Sequence, residues 1–248
     1  MRLGRYQFRP RIVPTLATLL VFPALLALGF WQLDRADQRQ AIVDAYETRD
    51  QRPEVDLNAE SMPAGDAAPR NTRAYGRFDD ERQLLLDNQF HRGQVGYHVL
   101  TPFHIEGSDA VVLVDRGWVP AGDSRAELPD VQVDGARRSV TGFLDQGPPS
   151  GLRLGGMADG ETGWPLRIQY LDFEELEGRL GVDLMPRVLR LDPEAPDGFA
   201  RDWGPAFREG YGPERNHGYA VQWFGLATAL AVIFLVVNTK RMGSDDKE

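Results

Sequence analysis

IVPTLATLLVFPALLALGFWQL, residues Ile12 to Leu33, and GYAVQWFGLATALAVIFLVVNT, residues Gly218 to Thr239, each run for 22 residues without a charged side chain. About 20 apolar residues in a helix cross a hydrocarbon core of about 30 Å, so each stretch is long enough to span a bilayer. In the first, twelve residues are Leu, Ile, Val or Phe, which outweigh Pro14, Pro23 and the few polar groups. Pro14 falls in a first turn, where a missing N–H costs nothing; Pro23 is mid-span and predicts a kink or a freed carbonyl. Everything strongly polar lies between the two stretches. The expected division is an N-terminal segment 1–11, a span 12–33, a soluble insert 34–216, a span 217–239 and a C-terminal segment 240–248.

A secretory signal is the rival reading of the first stretch, because Met1 to Arg11 carries four Arg and no acid, and Ala27-Leu28-Gly29 resembles a cleavage site. The apolar run exceeds a signal core and continues through Phe30 and Trp31, which favours an uncleaved anchor. Lys and Arg near the span ends number seven on the terminal sides and four on the insert side. The positive-inside bias therefore predicts cytoplasmic termini and a periplasmic insert, most simply in a bacterial inner membrane.

Of 37 acids and 28 bases, 34 and 21 lie in the insert, giving it a net charge of −13. Such a surface repels nucleic acid. The chain has no cysteine, which excludes disulfides, thiolate metal sites and covalent c-type haem attachment.

Asp34 to Gln51 lacks Gly and Pro and is expected to continue the first helix out of the membrane. Arg52 to Arg70 reads as a connector. Short β-rich runs follow at Thr72–Phe78, Gln83–Asp87, Val95–Phe103, Val111–Val114 and Ser139–Leu144, with turns at residues 91–94 and 106–109. Two further strands are expected at Arg167–Leu171 and Arg187–Leu191, around a short acidic helix at Phe173–Leu180. Gly147 to Gly163 and Asp192 to Arg215 read as long loops. The fold class is an α+β membrane protein: a two-span helical hairpin enclosing an antiparallel β-rich domain.

No phosphate-binding glycine loop, HExxH or nucleophile elbow occurs, and serine appears only six times. Nothing in the residues argues for an enzyme. His91 sits in a turn, while His98 and His104 read as solvent-facing or packing residues, with a metal pair the alternative and Pro102 interrupting the strand between them. Asp115-Arg116-Gly117-Trp118-Val119-Pro120 ends an apolar strand. Gly117 suggests a bulge or close backbone approach and Trp118 a large packing surface, so both read as structural.

His217 immediately precedes the second span. In an antiparallel hairpin it is level with the outer end of the first, so Trp31, Gln32, Arg35, Tyr219, Gln222 and Trp223 gather around one interfacial depth. One reading is an aromatic belt with Asn216 as cap and Arg35 snorkelling. The other is a wall for a flat amphipathic ligand, with neutral imidazole as an iron ligand and Arg35 pairing with a carboxylate. Small residues at Gly225 and Ala229, and at Ala227 and Ala231, would let another helix approach closely.

Taken in order, the motifs resemble the Surfeit-locus family of cytochrome c oxidase assembly factors. Leu28-Gly29-Phe30-Trp31-Gln32 with Arg35 resembles its first-span signature. Gly76, Phe78, Gly96-Tyr97, Thr101-Pro102 and the Leu113 to Pro120 run resemble its soluble domain. Trp164, Asp172 and Pro186 match sparser positions, and Asn216-His217 with Tyr219, Gln222 and Trp223 resembles the start of its second span. The resemblance implies a non-catalytic factor that receives haem a from haem a synthase and delivers it to oxidase subunit I. It also implies His217 as a haem iron ligand, supported by Trp31, Gln32, Arg35, Tyr219 and Trp223. A membrane scaffold that holds an assembly intermediate without binding haem is the alternative.

Overall fold

The computed structural model describes residues 2–3, 6–60, 68–122, 124, 127–147, 155–158, 160–203 and 212–241. Arg5, Arg208 and Lys247, much of the Gly147–Gly163 loop and the middle of the Asp192–Arg215 segment lie outside them. The chain divides into two compact units, Met1–Asp44 with Phe207–Glu248, and Ala45–Ala206.

The first unit is a helical hairpin. Helix α1 (Ile12–Glu47) runs through Pro23 and out of the apolar stretch, and α3 (Glu214–Asn238) carries the second stretch. Only 6% and 11% of their most apolar windows are buried. Such exposure is untenable in water over this length and is natural in lipid, where each helix satisfies its own backbone. The helices pack antiparallel. At one end, β1 (Arg2–Leu3), β2 (Tyr6–Phe8) and β11 (Thr239–Arg241) form a small antiparallel sheet that ties the two ends of the chain. Asn238, 1% exposed, accepts from the Arg11 amide at 2.8 Å and donates to Phe234 O at 2.8 Å.

The second unit is built on an eight-stranded sheet: β3 (Val55–Asp56), β4 (Arg70–Phe78), β5 (Leu84–His91), β6 (Gln94–Ile105), β7 (Ala110–Pro120), β8 (Arg137–Asp145), β9 (Leu166–Ile168) and β10 (Asp183–Leu191). Their order is β3-β4-β8-β10-β7-β6-β5-β9, and β4 also pairs with β6. The pairings β4–β8–β10–β7–β6–β4 thus close a ring, a small barrel from which β3, β5 and β9 extend. The sheet is mixed, and in this it departs from the antiparallel domain expected: β3–β4, β10–β7 and β5–β9 are parallel. Parallel neighbours far apart in sequence leave no hairpin signature to read.

One core, with Phe78, Phe103, Val112, Val114, Leu144 and Leu189, lies among the ring strands. A second, with Leu84, Leu100, Leu113 and Val188, packs beneath α2 (Phe173–Leu180) through Leu176 and Leu180. Asp172 caps α2 by accepting from the Glu175 amide, and Gly181 at φ +67° ends it, donating to Glu177 O.

Three further expectations need correction. The connector 52–70 contains β3, with Val55 and Leu57 buried. Strand β6 runs straight through Pro102. The Pro102 carbonyl accepts from the Asp79 amide, so its missing N–H faces the point where the pairing of β6 passes from β5 to β4, and no ladder bond is lost. Strand β7 continues to Pro120, because Arg116 and Gly117 form a bulge opposite Val99 instead of ending the strand.

Candidate functional site

In the hairpin unit, Gln32 is the one expected site residue that is buried, and it bonds to another helix. Its Oε1 accepts from Asn216 Nδ2 at 2.6 Å, both side chains being shielded. A polar pair between two spans substitutes for water that the bilayer cannot supply. One turn deeper, Gly29 meets the Phe224 ring, where a Cβ would lie 2.6 Å from Cε1, and Phe30 packs edge-on against the same ring at 5.3 Å. The antiparallel level of Gln32 with Asn216 thus follows from side-chain bonds as well as from topology.

The remaining residues divide between the two flanks of this contact. At about 100° per residue, His217 lies within about 20° of Phe224 around α3, on the flank where Phe30 sits. Tyr219 and Trp223 lie about 120° or more from His217, on the other flank. Trp31 and Arg35 follow them, at least about 100° from Phe30 around α1. His217 is exposed, as are Trp31 at 55% and Tyr219 at 39%. Arg35 donates to Gln38 at 2.9 Å, which in turn donates to Asp34, while the Arg215 guanidinium lies 5.8 Å from the centre of the Tyr219 ring. The imidazole is accessible and has apolar rings on its own side, an environment suited to ligating an iron-bearing macrocycle.

The β unit holds a second concentration of polar groups, which sequence reasoning missed. Asp115 is fully buried on β7. Its carboxylate faces His98 Nδ1 at 2.8 Å, accepts from Arg190 Nη1 at 3.3 Å and from the Gly117 amide at 3.0 Å. Arg190 continues to Asp145 at 2.6 Å, which also accepts from the Tyr46 hydroxyl at 2.9 Å and the Gly147 amide at 2.7 Å. Trp203 covers the group: its ring lies 5.1 Å from the Arg190 guanidinium and 5.8 Å from the His98 ring.

Burial pushes the Asp115 carboxyl up, but His98, Arg190 and the Gly117 amide together hold it below the usual carboxylate range. Burial, then Asp145, push the Tyr46 phenol well above its ordinary value. Next to Asp115, Arg116 is buried with its guanidinium on the carbonyls of Asp197 and Val131, both at 2.7 Å, and burial brings it down to about 10. The signal available in the sequence was a charged Asp-Arg pair at the end of an apolar strand. No group of three or more metal-binding side chains occurs among the described residues, and His104 stands 3.7 Å from Asp79, apart from His98. The network satisfies itself, which marks it as an internal brace.

Gly117, at φ +112°, lies under the segment that leads away from the barrel. A Cβ there would come within 2.7 Å of Ala200 O, while the Trp118 and Ala200 backbones exchange hydrogen bonds. Trp118 donates its indole N–H to Gln89 O at 3.0 Å.

Comparison with known proteins bears on this architecture as a whole. The model described as the SURF1 family matches residues 19–228, from within the first span to within the second. This chain belongs to the SURF1 family. That is the Surfeit-locus family of oxidase assembly factors that the ordered motifs resemble. SURF1-like protein of Rickettsia conorii is 24% identical over 91% of this chain and 91% of its own length. Surfeit locus protein 1 of Mus musculus is 27% identical over 41% of this chain and 38% of its own. SURF1-like protein of Rickettsia felis is 33% identical over 42% and 45%. The chain therefore spans less than half of the mouse and R. felis proteins and nearly all of the R. conorii protein.

Proposed function

We propose that this SURF1-family protein is a non-catalytic assembly factor for haem–copper cytochrome c oxidase, which receives haem a from its synthase and passes it to subunit I. His217 is the iron ligand in this reading, with Phe30 and Phe224 as the apolar wall on its side. The observation that carries the proposal is an exposed imidazole at the start of a span, on the same helical flank as the Phe30–Phe224 ring pair and held level with the first span by the Gln32–Asn216 bond. A cargo site must release what it holds, and an open flank with a single side-chain ligand suits transfer better than a closed pocket. Trp31, Arg35, Tyr219 and Trp223, on the opposite flank, serve as the interfacial belt and as contacts for the receiving subunit. The termini are cytoplasmic and the β unit periplasmic.

The test is genetic and spectroscopic. Membranes of a strain lacking this protein should be deficient in haem a bound to oxidase and in oxidase activity. Wild type should restore both, and His217→Ala should not. The division of the expected site between two flanks favours one second reading, a scaffold that holds subunit I without touching haem. Full restoration by His217→Ala, with subunit I still copurifying, would select the scaffold and overturn the haem assignment.

A further inference from the structure

The β unit has four exposed large hydrophobic side chains among its described residues, Tyr75, Phe90, Leu128 and Trp164. Two of them, Leu128 and Trp164, border one cavity of about 340 Å³, at the turn that links β4 to β5. Asp80, Glu81 and Asp130 share that border, and no basic residue is among the described residues that line it. A soluble domain seldom leaves an indole and several carboxylates together at a cavity mouth without a use for them.

Among the described residues, the nearby cations are committed elsewhere. Arg82 turns away to Asp79 and to the carbonyl of Leu180. Arg138 is held by Asp134 and Asp197, and Arg137 by Glu106. Arg116 lies behind the cavity floor, fixed on the Val131 and Gln132 carbonyls, and so holds the Asp130 loop in place. Gln83, 4% exposed, forms part of the lining; among the described residues its side-chain amide makes two long contacts at 3.5 Å, to Asp80 O and Arg116, which leaves hydrogen-bonding capacity unused. The lining thus combines an exposed indole, carboxylates with no cationic partner among the described residues (Asp130 accepts only from the Gln132 amide, at 3.1 Å) and a polar amide with spare capacity. A planar cation with several donors meets all three requirements: it stacks on tryptophan and binds carboxylates through forked N–H groups.

From these contacts we infer that the Asp80–Asp130–Trp164 cavity is a docking site for an arginine side chain presented by a partner polypeptide. The guanidinium lies against Trp164, its aliphatic stem contacts Leu128, and Asp80 and Asp130 receive its N–H groups. The cavity is at the small end of the range for ligand sites, which fits a single anchoring side chain. The inference stands independently of haem transfer, since it uses no residue of the hairpin.

The test uses the full-length protein in detergent, labelled with 5-fluorotryptophan, and the probe peptide acetyl-Gly-Gly-Arg-Gly-Gly-amide. The Trp164 resonance is identified by its loss in Trp164→Phe. It should shift on titration with the probe, while the other indole resonances stay in place and report that the fold is intact. Replacing arginine in the probe by citrulline, which keeps the shape without the charge, should weaken binding at least tenfold. Asp80→Asn combined with Asp130→Asn should do the same, and so should high salt. An unshifted Trp164 resonance, equal binding of the citrulline or lysine peptide, or binding unaffected by the two Asn substitutions would overturn the assignment.

Discussion

Replacing Arg190 with methionine should destabilise the β unit more than any single surface change. The guanidinium, 7% exposed, lies between two buried carboxylates, Asp145 at 2.6 Å and Asp115 at 3.3 Å. Methionine retains much of the apolar bulk beneath Trp203 but removes the only arginine that both carboxylates share among the described residues. Removing one member of a buried ion pair typically costs about 3–5 kcal/mol, because the remaining charge has lost its compensation. The Tyr46 hydroxyl, the Gly117 and Gly147 amides and His98 stay in place, so the expected loss is about 4 kcal/mol near neutral pH. For a domain of this size about 2–4 °C accompanies each kcal/mol, which predicts a fall in Tm of about 8–16 °C.

The assay is thermal unfolding of the full chain in detergent, followed by tryptophan fluorescence between pH 5 and 8. The sign of the pH effect is fixed by the same geometry. Without Arg190 the Asp115 carboxylate, which Arg190 helps to hold below its usual range, takes up a proton more readily, so the deficit relative to wild type should narrow as the pH falls. A fall of less than about 3 °C, or a deficit that widens toward pH 5, would refute the account of the network.

Two further outcomes follow from the same structure. Asp115 is held below the usual carboxylate range, so its contribution is present above an ordinary pKa of about 4 and is lost as the pH falls through the lower folded value. Wild type should therefore show an acid unfolding limb below about pH 4, shallower in Asp115→Asn, as acid titration followed by near-UV circular dichroism would reveal. Gly117→Ala places a Cβ against Ala200 O in a backbone region that disfavours side chains, and should cost about 1–3 kcal/mol in denaturant unfolding without changing α-helix content.

How much of this was legible in the sequence follows from the range of the interactions involved. The two spans could be read because twenty apolar residues without charge have few other uses, and α2 because its cap, its acidic first turn and Gly181 are all local. Strands β4 to β8 announced themselves by composition and turns. The closing of the ring could not be read, since β4 meets β6 and β10 meets β7 through pairings that leave no local trace. His98 looked like an ordinary strand residue because its partner, Asp115, belongs to the next strand, and Arg190 lies 75 positions further on. At the hairpin the level was legible but the angle was not. Topology alone brings His217 to the depth of Trp31 and Arg35, whereas the helical pitch and the Gly29–Phe224 contact decide which flank each occupies.

The most direct measurement of the central claim is the visible spectrum of this protein purified after co-expression with haem a synthase. The account predicts a haem a spectrum that copurifies with wild type and disappears in His217→Ala, while Trp31→Phe, on the opposite flank, retains it. A wild-type protein free of haem, or a His217→Ala spectrum indistinguishable from wild type, would contradict it.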